Sequence, residues 1–152
     1  MTKIRIILLM LATLLIGIIL GGYLFSHTQP RSFLALNKCE GTCLQQKELL
    51  GLLTSVGIQR FSSFAPAVVK ETDKTIVIEH PRPQARIHYL VIPKKDIKNI
   101  AELSESDREY LVDMFAVMRE IITEKNLVDY RIVTNGPAYQ GVTYLHFHLT
   151  AN

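Results

Sequence analysis

The sequence has little cysteine, hardly any excess of basic residues, and no charged residue between positions 6 and 30. It also lacks low-complexity tracts, heptad arrays and internal repeats, which excludes a repeat or fibrous architecture. Its 17 Lys and Arg residues face 14 Asp and Glu residues, and two of the bases, Lys3 and Arg5, precede the uncharged stretch. Because nucleic-acid binding needs a clustered basic face, we expect no nucleic-acid partner. At 152 residues and 48% hydrophobic content, the chain has the size and composition of one folded domain with a short extension.

The uncharged stretch is apolar, and Ile6 to Phe25 reads IILLMLATLLIGIILGGYLF. At about 1.5 Å per residue, a helix of this length spans about 30 Å, the thickness of a bilayer core. A cleaved signal peptide has a shorter apolar core of about 7–15 residues that ends in small residues. Here Tyr23 and Leu24 continue the apolar run past Gly21 and Gly22. We therefore expect residues 1–25 to be an uncleaved signal-anchor that crosses the membrane once, with a removed signal peptide as the alternative.

Basic residues predict the orientation of this segment. Lys3 and Arg5 lie directly before it, whereas Arg31 and Lys38 follow at a distance. The positive-inside rule then leaves the N-terminus in the cytoplasm and the C-terminal domain outside it, in the periplasm or an equivalent compartment if the cell is bacterial. We expect residues 26–40 to form a polar tether and residues 41–152 to form the domain.

The two cysteines, Cys39 and Cys43, bear on the same question. In an oxidising compartment they would pair across this short loop. The alternative is two reduced, small apolar side chains at the start of a helix. A structural zinc site needs four ligands, and no second Cys or His pair lies nearby. We predict no metal and no other cofactor.

Periodicity predicts an α+β fold. The short connections between the first three strands imply antiparallel pairing, and we expect a five-stranded antiparallel sheet with both helices on one face, preceded by the membrane helix. Ser104 is the expected N-cap of the longer helix. The predicted elements are a helix over Cys43 to Val56 that stops near Gly57, strands over Ala67 to Glu71, Thr75 to Glu79 and Arg86 to Ile92, a helix over Glu105 to Lys125, and strands over Tyr130 to Thr134 and Thr143 to Ala151.

The last strand carries the candidate chemistry. Alternation places Tyr144, His146 and His148 on one face and the apolar residues between them on the other. The same rule places His88 of the third strand on one face with Leu90, so three imidazoles could meet if the two strands are neighbours. Such a cluster fits a three-histidine metal site, nucleophilic work on phosphate, or exposed histidines without a function.

Three separated blocks narrow these alternatives. Residues 140–148 read QGVTYLHFH, residues 83–95 read PQARIHYLVIPKK, and residues 129–136 read DYRIVTNG. In this order they resemble the histidine triad (HIT) family of nucleotide hydrolases and transferases, whose last strand carries Gln followed by His-φ-His-φ-His. The resemblance covers about residues 65 to 150 and implies a HIT-like fold.

The resemblance also implies roles. His146 matches the family's nucleophile, which attacks the α-phosphorus of a nucleotide and forms a nucleotidyl-histidine that water then hydrolyses. His148 and His88 match donors to phosphate oxygens. Gln140 matches a residue that steadies the bridging oxygen or the intermediate, and Asn135 lies near the phosphate and ribose. The implied substrate is a purine nucleotide or a lipid-linked nucleotide.

Four positions depart from the family pattern. Tyr144 replaces the first histidine, so the triad is incomplete, although its backbone carbonyl can still orient the nucleophile. Gly141 stands where many members have Ser or Thr to assist the leaving group. Asp96 replaces a second histidine, and His80 stands where an acidic ribose-binding residue is frequent. For His80 we expect an ordinary loop histidine.

These departures keep two other functions open. One is a membrane-associated pyrophosphatase acting on CDP-diacylglycerol, and the other is a nucleotide-binding module without turnover. The family resemblance also implies that the strand over Tyr130 to Thr134 could pair edge to edge in a homodimer.

Overall fold

The structure, a computed structural model, describes residues 3–34, 43–62 and 67–152. The order of elements confirms the predicted one: helix, three strands, helix, two strands, after an N-terminal helix. Cys39, and with it the predicted pairing to Cys43, lies outside the described residues. The helices are α1 (Lys3–Phe25), α2 (Gln46–Phe61) and α3 (Arg108–Glu124), and the strands are β1 (Val68–Glu71), β2 (Thr75–Glu79), β3 (Ile87–Pro93), β4 (Tyr130–Thr134) and β5 (Phe147–Ala151).

The five strands form one antiparallel sheet in the order β1-β2-β3-β5-β4. β5 therefore lies between β3 and β4, and His148 is paired with Leu90 on one side and Val133 on the other. His88 is paired with Thr150. The candidate imidazoles could meet only if the strands that carry them were neighbours. This register shows that they are direct neighbours.

One face of the sheet packs against α3. Val91 and Leu149 of the sheet and Met114, Met118 and Ile121 of the helix are fully buried there, as the apolar stripe of α3 predicts.

A short 3-10 turn, Glu105–Asp107, leads into α3; Ser104, the predicted N-cap of the longer helix, caps this turn instead, and Asp107 is the N-cap of α3. The backbone N–H and hydroxyl of Ser104 both donate to the carboxylate of Asp107, at 2.8 and 2.7 Å. Beyond α3, Asn126 adopts φ 51°, the left-handed conformation that often ends a helix.

The second helix covers the opposite face, so the prediction that both helices share one face is wrong. Ile58 of α2 packs against a buried cluster of Ile76, Ile92 and Tyr144, which project from the sheet away from α3. Apolar side chains on both faces of a sheet must both be covered, and alternation along β2 and β3 supplies them on both faces.

The helix α2 also runs further than predicted, to Phe61 rather than Val56. Gly57 lies inside it, with no atom near enough to contact a β-carbon there. A glycine costs a helix about 1 kcal/mol relative to alanine. Contacts of the following turn outweigh this cost: Ile58 packs on the sheet, and Gln59 and Arg60 bind the end of α1.

The helix α1 is long and apolar enough to cross a membrane, and none of it is buried against the rest of the protein. Its mean hydropathy reaches 2.6. A signal sequence near the N-terminus has the same properties. The helix is therefore a candidate for either a membrane span or a signal sequence.

Residues 26–33, which follow α1, form no helix or strand, but they are attached to the domain. The backbone N–H of Gln29 donates to the carboxylate of Asp96 at 2.8 Å, and the guanidinium of Arg31 binds the same carboxylate through two nitrogens. The end of α1 is thereby held close to the loop that follows β3.

Candidate active site

A cavity of about 510 Å³ lies on the face of the sheet that carries the histidines. One side of it is apolar, and the other side presents imidazole rings and polar groups. It is bounded by the sheet, α2 and the loop between β4 and β5. The lining residues are Thr54, Ile78, His80, Pro81, Leu90, Ile92, Asn135, Tyr139, Gly141, Val142, Tyr144, His146 and His148.

The ring of His146 is held by a single backbone contact. Its Nδ1 lies 2.8 Å from the carbonyl oxygen of Tyr144. A carbonyl can only accept, so the proton of the neutral ring must be on Nδ1 and the lone pair on Nε2. Burial lowers the pKa of His146, outweighing the opposite effect of the bond to Tyr144. The ring is therefore a neutral base at neutral pH, with Nε2 available to a molecule in the cavity.

His88 and His148 form a hydrogen-bonded pair, with Nε2 of His88 2.9 Å from Nδ1 of His148. The backbone N–H of Gln84 donates to Nδ1 of His88 at 3.2 Å, which places the proton of a neutral His88 on Nε2. His88 then donates to His148, whose own proton must be on Nε2. Nδ2 of Asn135 lies 3.3 Å from that nitrogen. Since both nitrogens are donors in this tautomer, a hydrogen bond here requires the amide to be rotated by 180°, which brings Oδ1 to Nε2 as the acceptor.

Both rings of this pair are neutral at physiological pH. Burial, followed by the neighbouring rings of His146 and His88, lowers the pKa of His148 to about 4. Burial and the charge of His80 lower the pKa of His88 as well. The site therefore presents neutral imidazole N–H donors rather than imidazolium cations.

His80 belongs to the same cluster, which the sequence analysis missed. Its ring stacks on that of His88 with centroids 4.1 Å apart and planes within 10°. The expectation of a loop histidine holds in part, because the N–H of Arg82 donates to Nδ1 of His80 at 3.0 Å. The missed signal is alternation along β2, which continues from Ile76 and Ile78 to His80 on the cavity face.

Comparison with known proteins agrees with this arrangement. Residues 59–152 match the family described as "Scavenger mRNA decapping enzyme C-term binding". An uncharacterized HIT-like protein of Synechococcus elongatus is 36% identical over 85 residues, which cover 54% of this chain and 75% of that protein. The chain belongs to the histidine triad (HIT) family. The adenosine 5'-monophosphoramidase HINT3 of Mus musculus is 29% identical over 84 residues, covering 53% of this chain and 51% of that protein.

Solved HIT structures share the fold. A HIT family hydrolase from Clostridium thermocellum superposes with a TM-score of 0.58 at 28% identity, over 64% of this chain and 89% of that one. The superposed part leaves out more than a third of this chain.

The sequence resemblance predicts that Tyr144 stands at the first histidine of the HIT signature, and the side chain of Tyr144 is part of the core. The ring is 1% exposed, and the hydroxyl lies 2.9 Å from the carbonyl of Pro93 and 3.0 Å from that of Lys95. Burial raises its pKa far above the ordinary value, so the phenol stays protonated. Tyr144 lines the cavity with its ring, while its carbonyl orients His146.

The backbone around Tyr144 is not part of the sheet. The strand β5 therefore begins at Phe147, whereas the sequence predicted that it begins at Thr143. The N–H of Thr143 donates to the carbonyl of Lys47 in α2, and that of Leu145 donates to Ile97. The neighbouring strand β3 ends at Pro93, which has no N–H to extend the ladder. The side chains of Tyr144 and His146 nevertheless keep the predicted face.

Gln140 is not brought to the imidazoles. Its amide nitrogen donates to the carbonyl of Lys98 at 3.1 Å, and its side-chain oxygen is buried with no hydrogen-bond partner among the described residues. The turn that begins at Gly136 directs Gln140 inward and leaves the ring of Tyr139, 84% exposed, at the cavity. Asn135 and Gly141 line the cavity.

One group of described residues is close enough to hold a metal ion: His80, His88 and His148, whose ring nitrogens lie within 4.8 Å of one another. A metal binds imidazole in the plane of the ring. The stacked, nearly parallel planes of His80 and His88 do not meet at a common point near the rings. As oriented, the rings suit hydrogen bonding better than three-fold coordination.

Proposed function

We propose that this HIT protein is a nucleotide hydrolase in which Nε2 of His146 attacks the α-phosphorus of a nucleotide. The observation that carries the proposal is the 2.8 Å contact from Nδ1 of His146 to the carbonyl of Tyr144. It leaves a neutral nitrogen base in a cavity lined by further imidazoles. The hydrolases and the monophosphoramidase among the HIT relatives support the same class of reaction.

The reaction has two steps. In the first, Nε2 of His146 forms a bond to phosphorus while the bond to the leaving group breaks. The leaving group departs as phosphate or a nucleoside polyphosphate or, from a phosphoramidate, as an amine that takes up a proton from solvent. The ring becomes cationic, and the carbonyl of Tyr144 stabilises the proton on Nδ1. In the second, water attacks phosphorus and loses a proton to solvent, the P–N bond breaks, and a nucleoside monophosphate and neutral His146 are released.

The other imidazoles act as donors. The proton that the hydrogen-bond chain places on Nε2 of His148 can bind a phosphate oxygen as negative charge grows there. His88 fixes that tautomer, and Asn135 lies beside the same nitrogen. Preorganised donors of this kind stabilise the transition state without a metal ion, so we expect no cofactor requirement.

Hydrolysis by the full chain, purified in detergent, tests this proposal. Adenosine 5'-phosphoramidate and diadenosine polyphosphate are the substrates, and His146→Ala is compared with His27→Ala, a histidine outside the cavity. We expect His146→Ala to abolish hydrolysis and His27→Ala to retain it. A base-stable, acid-labile label from an α-³²P-labelled substrate should appear on the wild type and on His27→Ala but not on His146→Ala. Hydrolysis that persists in His146→Ala would contradict the mechanism.

A lipid-linked nucleotide such as CDP-diacylglycerol is the second candidate substrate. The cavity has an apolar side formed by Ile78, Leu90, Ile92 and Val142. Its α2 wall is tied to the end of α1, because Arg60 donates to the carbonyl of Tyr23 at 2.8 Å.

The assay for this candidate compares CMP release from CDP-diacylglycerol in vesicles with hydrolysis of the two soluble nucleotides. Preferential cleavage of the lipid would select this substrate. Saturable binding of all three substrates without cleavage would favour the nucleotide-binding module.

We also propose that the protein is anchored in a membrane and that its C-terminal domain lies outside the cytoplasm. The support is the length and hydropathy of α1 and the placement of Lys3 and Arg5 before it. Retention in membranes after carbonate washing and proteolysis of the domain from the outer side are the expected results. Mass spectrometry of Cys39 and Cys43 from intact membranes reports the redox state of the compartment.

We also propose that two copies pair through β4. This strand lies at one end of the sheet, and Tyr130 and Val133 on it are 43% and 48% exposed. An unpaired edge with exposed apolar side chains is suited to strand pairing. Light scattering of the detergent-solubilised protein, compared with Val133→Lys, measures the oligomeric state.

A further inference from the structure

A buried ion pair links the segment after α1 to the loop after β3. The terminal nitrogens of Arg31 lie 2.5 and 2.7 Å from the two carboxylate oxygens of Asp96, and both side chains are 1% exposed. Gln29 adds a backbone N–H to the carboxylate at 2.8 Å and a side-chain amide to the Asp96 carbonyl at 2.9 Å. A buried carboxylate is tolerated because this two-pronged contact and the extra donor satisfy it.

The same guanidinium reaches the segment that carries the nucleophile. One terminal nitrogen of Arg31 donates to the carbonyl of Thr143 at 2.8 Å. Thr143 directly precedes Tyr144, whose carbonyl sets the ring of His146. The hydroxyl of Thr143 donates to Glu48 of α2 at 2.9 Å, which holds this residue from a second side.

Close packing of α2 against the carbonyl of Thr143 restricts where this carbonyl can lie. Gly51 of α2 lies so near that a β-carbon there would be 2.5 Å from the Thr143 oxygen and 3.0 Å from Nε of Arg31. The helix, the guanidinium and the catalytic segment therefore meet without spare room. Neither Arg31 nor Asp96 lines the cavity, so neither is placed to contact a bound nucleotide.

We infer that Arg31 is a positioning residue for His146: paired with Asp96, it fixes the Thr143 carbonyl and through it the peptide that orients the nucleophile. The inference rests on the proposed role of His146. It makes the segment leaving α1 a supporting part of the active site rather than a passive linker. The rate of the first step depends on how closely Nε2 of His146 approaches phosphorus. A small displacement of the ring therefore lowers kcat strongly.

Two variants separate positioning from simple loss of folding. Arg31→Lys keeps a cation beside Asp96 but cannot span both the carboxylate and the Thr143 carbonyl. Arg31→Met combined with Asp96→Asn removes both charges of the fully buried pair, and Glu48, 3.9 Å from Nε of Arg31, keeps a side chain that is 17% exposed to solvent. The matched control is Arg60→Gln, which removes an arginine that also binds the end of α1 but makes no contact with Thr143.

The measurements are kcat and KM for hydrolysis of adenosine 5'-phosphoramidate by the full chain in detergent, and ¹⁵N NMR of the His146 ring without substrate. We expect kcat to fall on the order of 10- to 100-fold in both Arg31 variants with a smaller change in KM. The His146 signal should shift from protonated Nδ1 toward a mixture of tautomers. Arg60→Gln should match the wild type in both measurements.

Thermal unfolding establishes that each variant is folded. If the double variant is unfolded, Arg31→Lys alone tests whether Arg31 positions His146. Wild-type kcat together with an unchanged His146 tautomer in a folded Arg31 variant would overturn the inference. A wild-type protein that cleaves no nucleotide would instead overturn the proposed function. The NMR comparison would then still decide whether Arg31 positions His146.

Discussion

The carbonyl oxygen of Tyr144 lies 2.8 Å from Nδ1 of His146, so the group that orients the proposed nucleophile belongs to the backbone. Any residue at position 144 supplies that carbonyl. The side chain of Tyr144 packs in the core, where its hydroxyl lies within hydrogen-bond distance of the carbonyls of Pro93 and Lys95. A tyrosine at this position therefore fills the core behind the site and leaves the orienting contact in place.

Tyr144→Phe tests this separation of side chain from backbone. The variant loses a buried hydroxyl and leaves buried carbonyls without their donor, which should lower the free energy of unfolding by about 1–3 kcal/mol. Hydrolysis should persist, because the carbonyl at position 144 remains. Urea unfolding and the phosphoramidate assay measure the two effects.

Tyr139→Phe is the control for this stability change. Its side chain is 84% exposed, so we expect no measurable change in unfolding. A Tyr144→Phe protein of unchanged stability, or one that is stable and folded but inactive, would contradict the assignment.

Stability should depend on pH through the imidazoles. The pKa of His148 is lowered to about 4, from 6.5 in the unfolded chain. Between these values the unfolded chain binds a proton that the folded protein does not, so the free energy of unfolding falls as pH drops from 6.5 toward 4. Above pH 6.5 the ring is neutral in both states and contributes no pH dependence.

His148→Gln should flatten this part of the profile, and His27→Gln should leave it as in the wild type. Urea unfolding at a series of pH values is the measurement. Asp107, whose pKa is lowered by hydrogen bonds from Lys95 and Ser104 despite the opposing effect of burial, contributes only at lower pH, near the ordinary range of a carboxylate. An identical slope for His148→Gln and wild type between pH 6.5 and 4.5 would contradict the lowered pKa.

The strands of the sheet could be predicted from the sequence because each has a local pattern of alternating or β-branched apolar residues. The second and fourth strands, Thr75–Glu79 and Tyr130–Thr134, have the predicted bounds, and alternation placed His88, His146 and His148 on one face. Adjacency of β3 and β5 is a long-range property that the periodicity left open. It entered the prediction only as a condition, and the register of the sheet meets that condition.

The remaining errors concern interactions between distant parts of the chain. The side of the sheet covered by α2 depends on contacts such as Ile58 with Tyr144, which no local pattern encodes. The contact from Arg31 to Asp96 joins residues 65 positions apart. The amide nitrogen of Gln140 donates to the carbonyl of Lys98, a contact that no local pattern predicts, and its role toward a nucleotide stays a prediction.

Gly51→Ala should disturb the catalytic segment without touching the cavity. The added carbon would meet the Thr143 carbonyl at 2.5 Å, and a backbone oxygen cannot rotate away. We expect a loss of about 1–3 kcal/mol in the free energy of unfolding, as for other overpacked sites, and a reduced kcat.

Gly57→Ala is the matched control for this substitution. It lies in the same helix with no atom within 4 Å of the added carbon, and it should stabilise the protein by about 0.5–1 kcal/mol through helix propensity. Thermal unfolding and hydrolysis of both variants are compared with the wild type. Equal effects of the two substitutions would show that the close approach at Gly51 is not needed.

His88→Ala tests the proton chain that ends at the phosphate. The N–H of Gln84 fixes His88 as a donor from Nε2, and that donor fixes the proton of His148 on its own Nε2. Without it, His148 can carry the proton on Nδ1 and lose its donor to the substrate. We expect kcat to fall on the order of 100-fold, the effect of removing one preorganised donor.

Steady-state kinetics and ¹⁵N NMR of His148 together identify the cause of such a loss. The tautomer of His148 should change in His88→Ala, whereas His80→Ala removes only the ring that stacks on His88 at 4.1 Å and should have a much smaller effect on kcat. A hydrogen bond that sets a tautomer is required for donation to phosphate, and stacking is not. Full activity in His88→Ala, or a greater loss in His80→Ala, would mean that His148 receives its proton by another route.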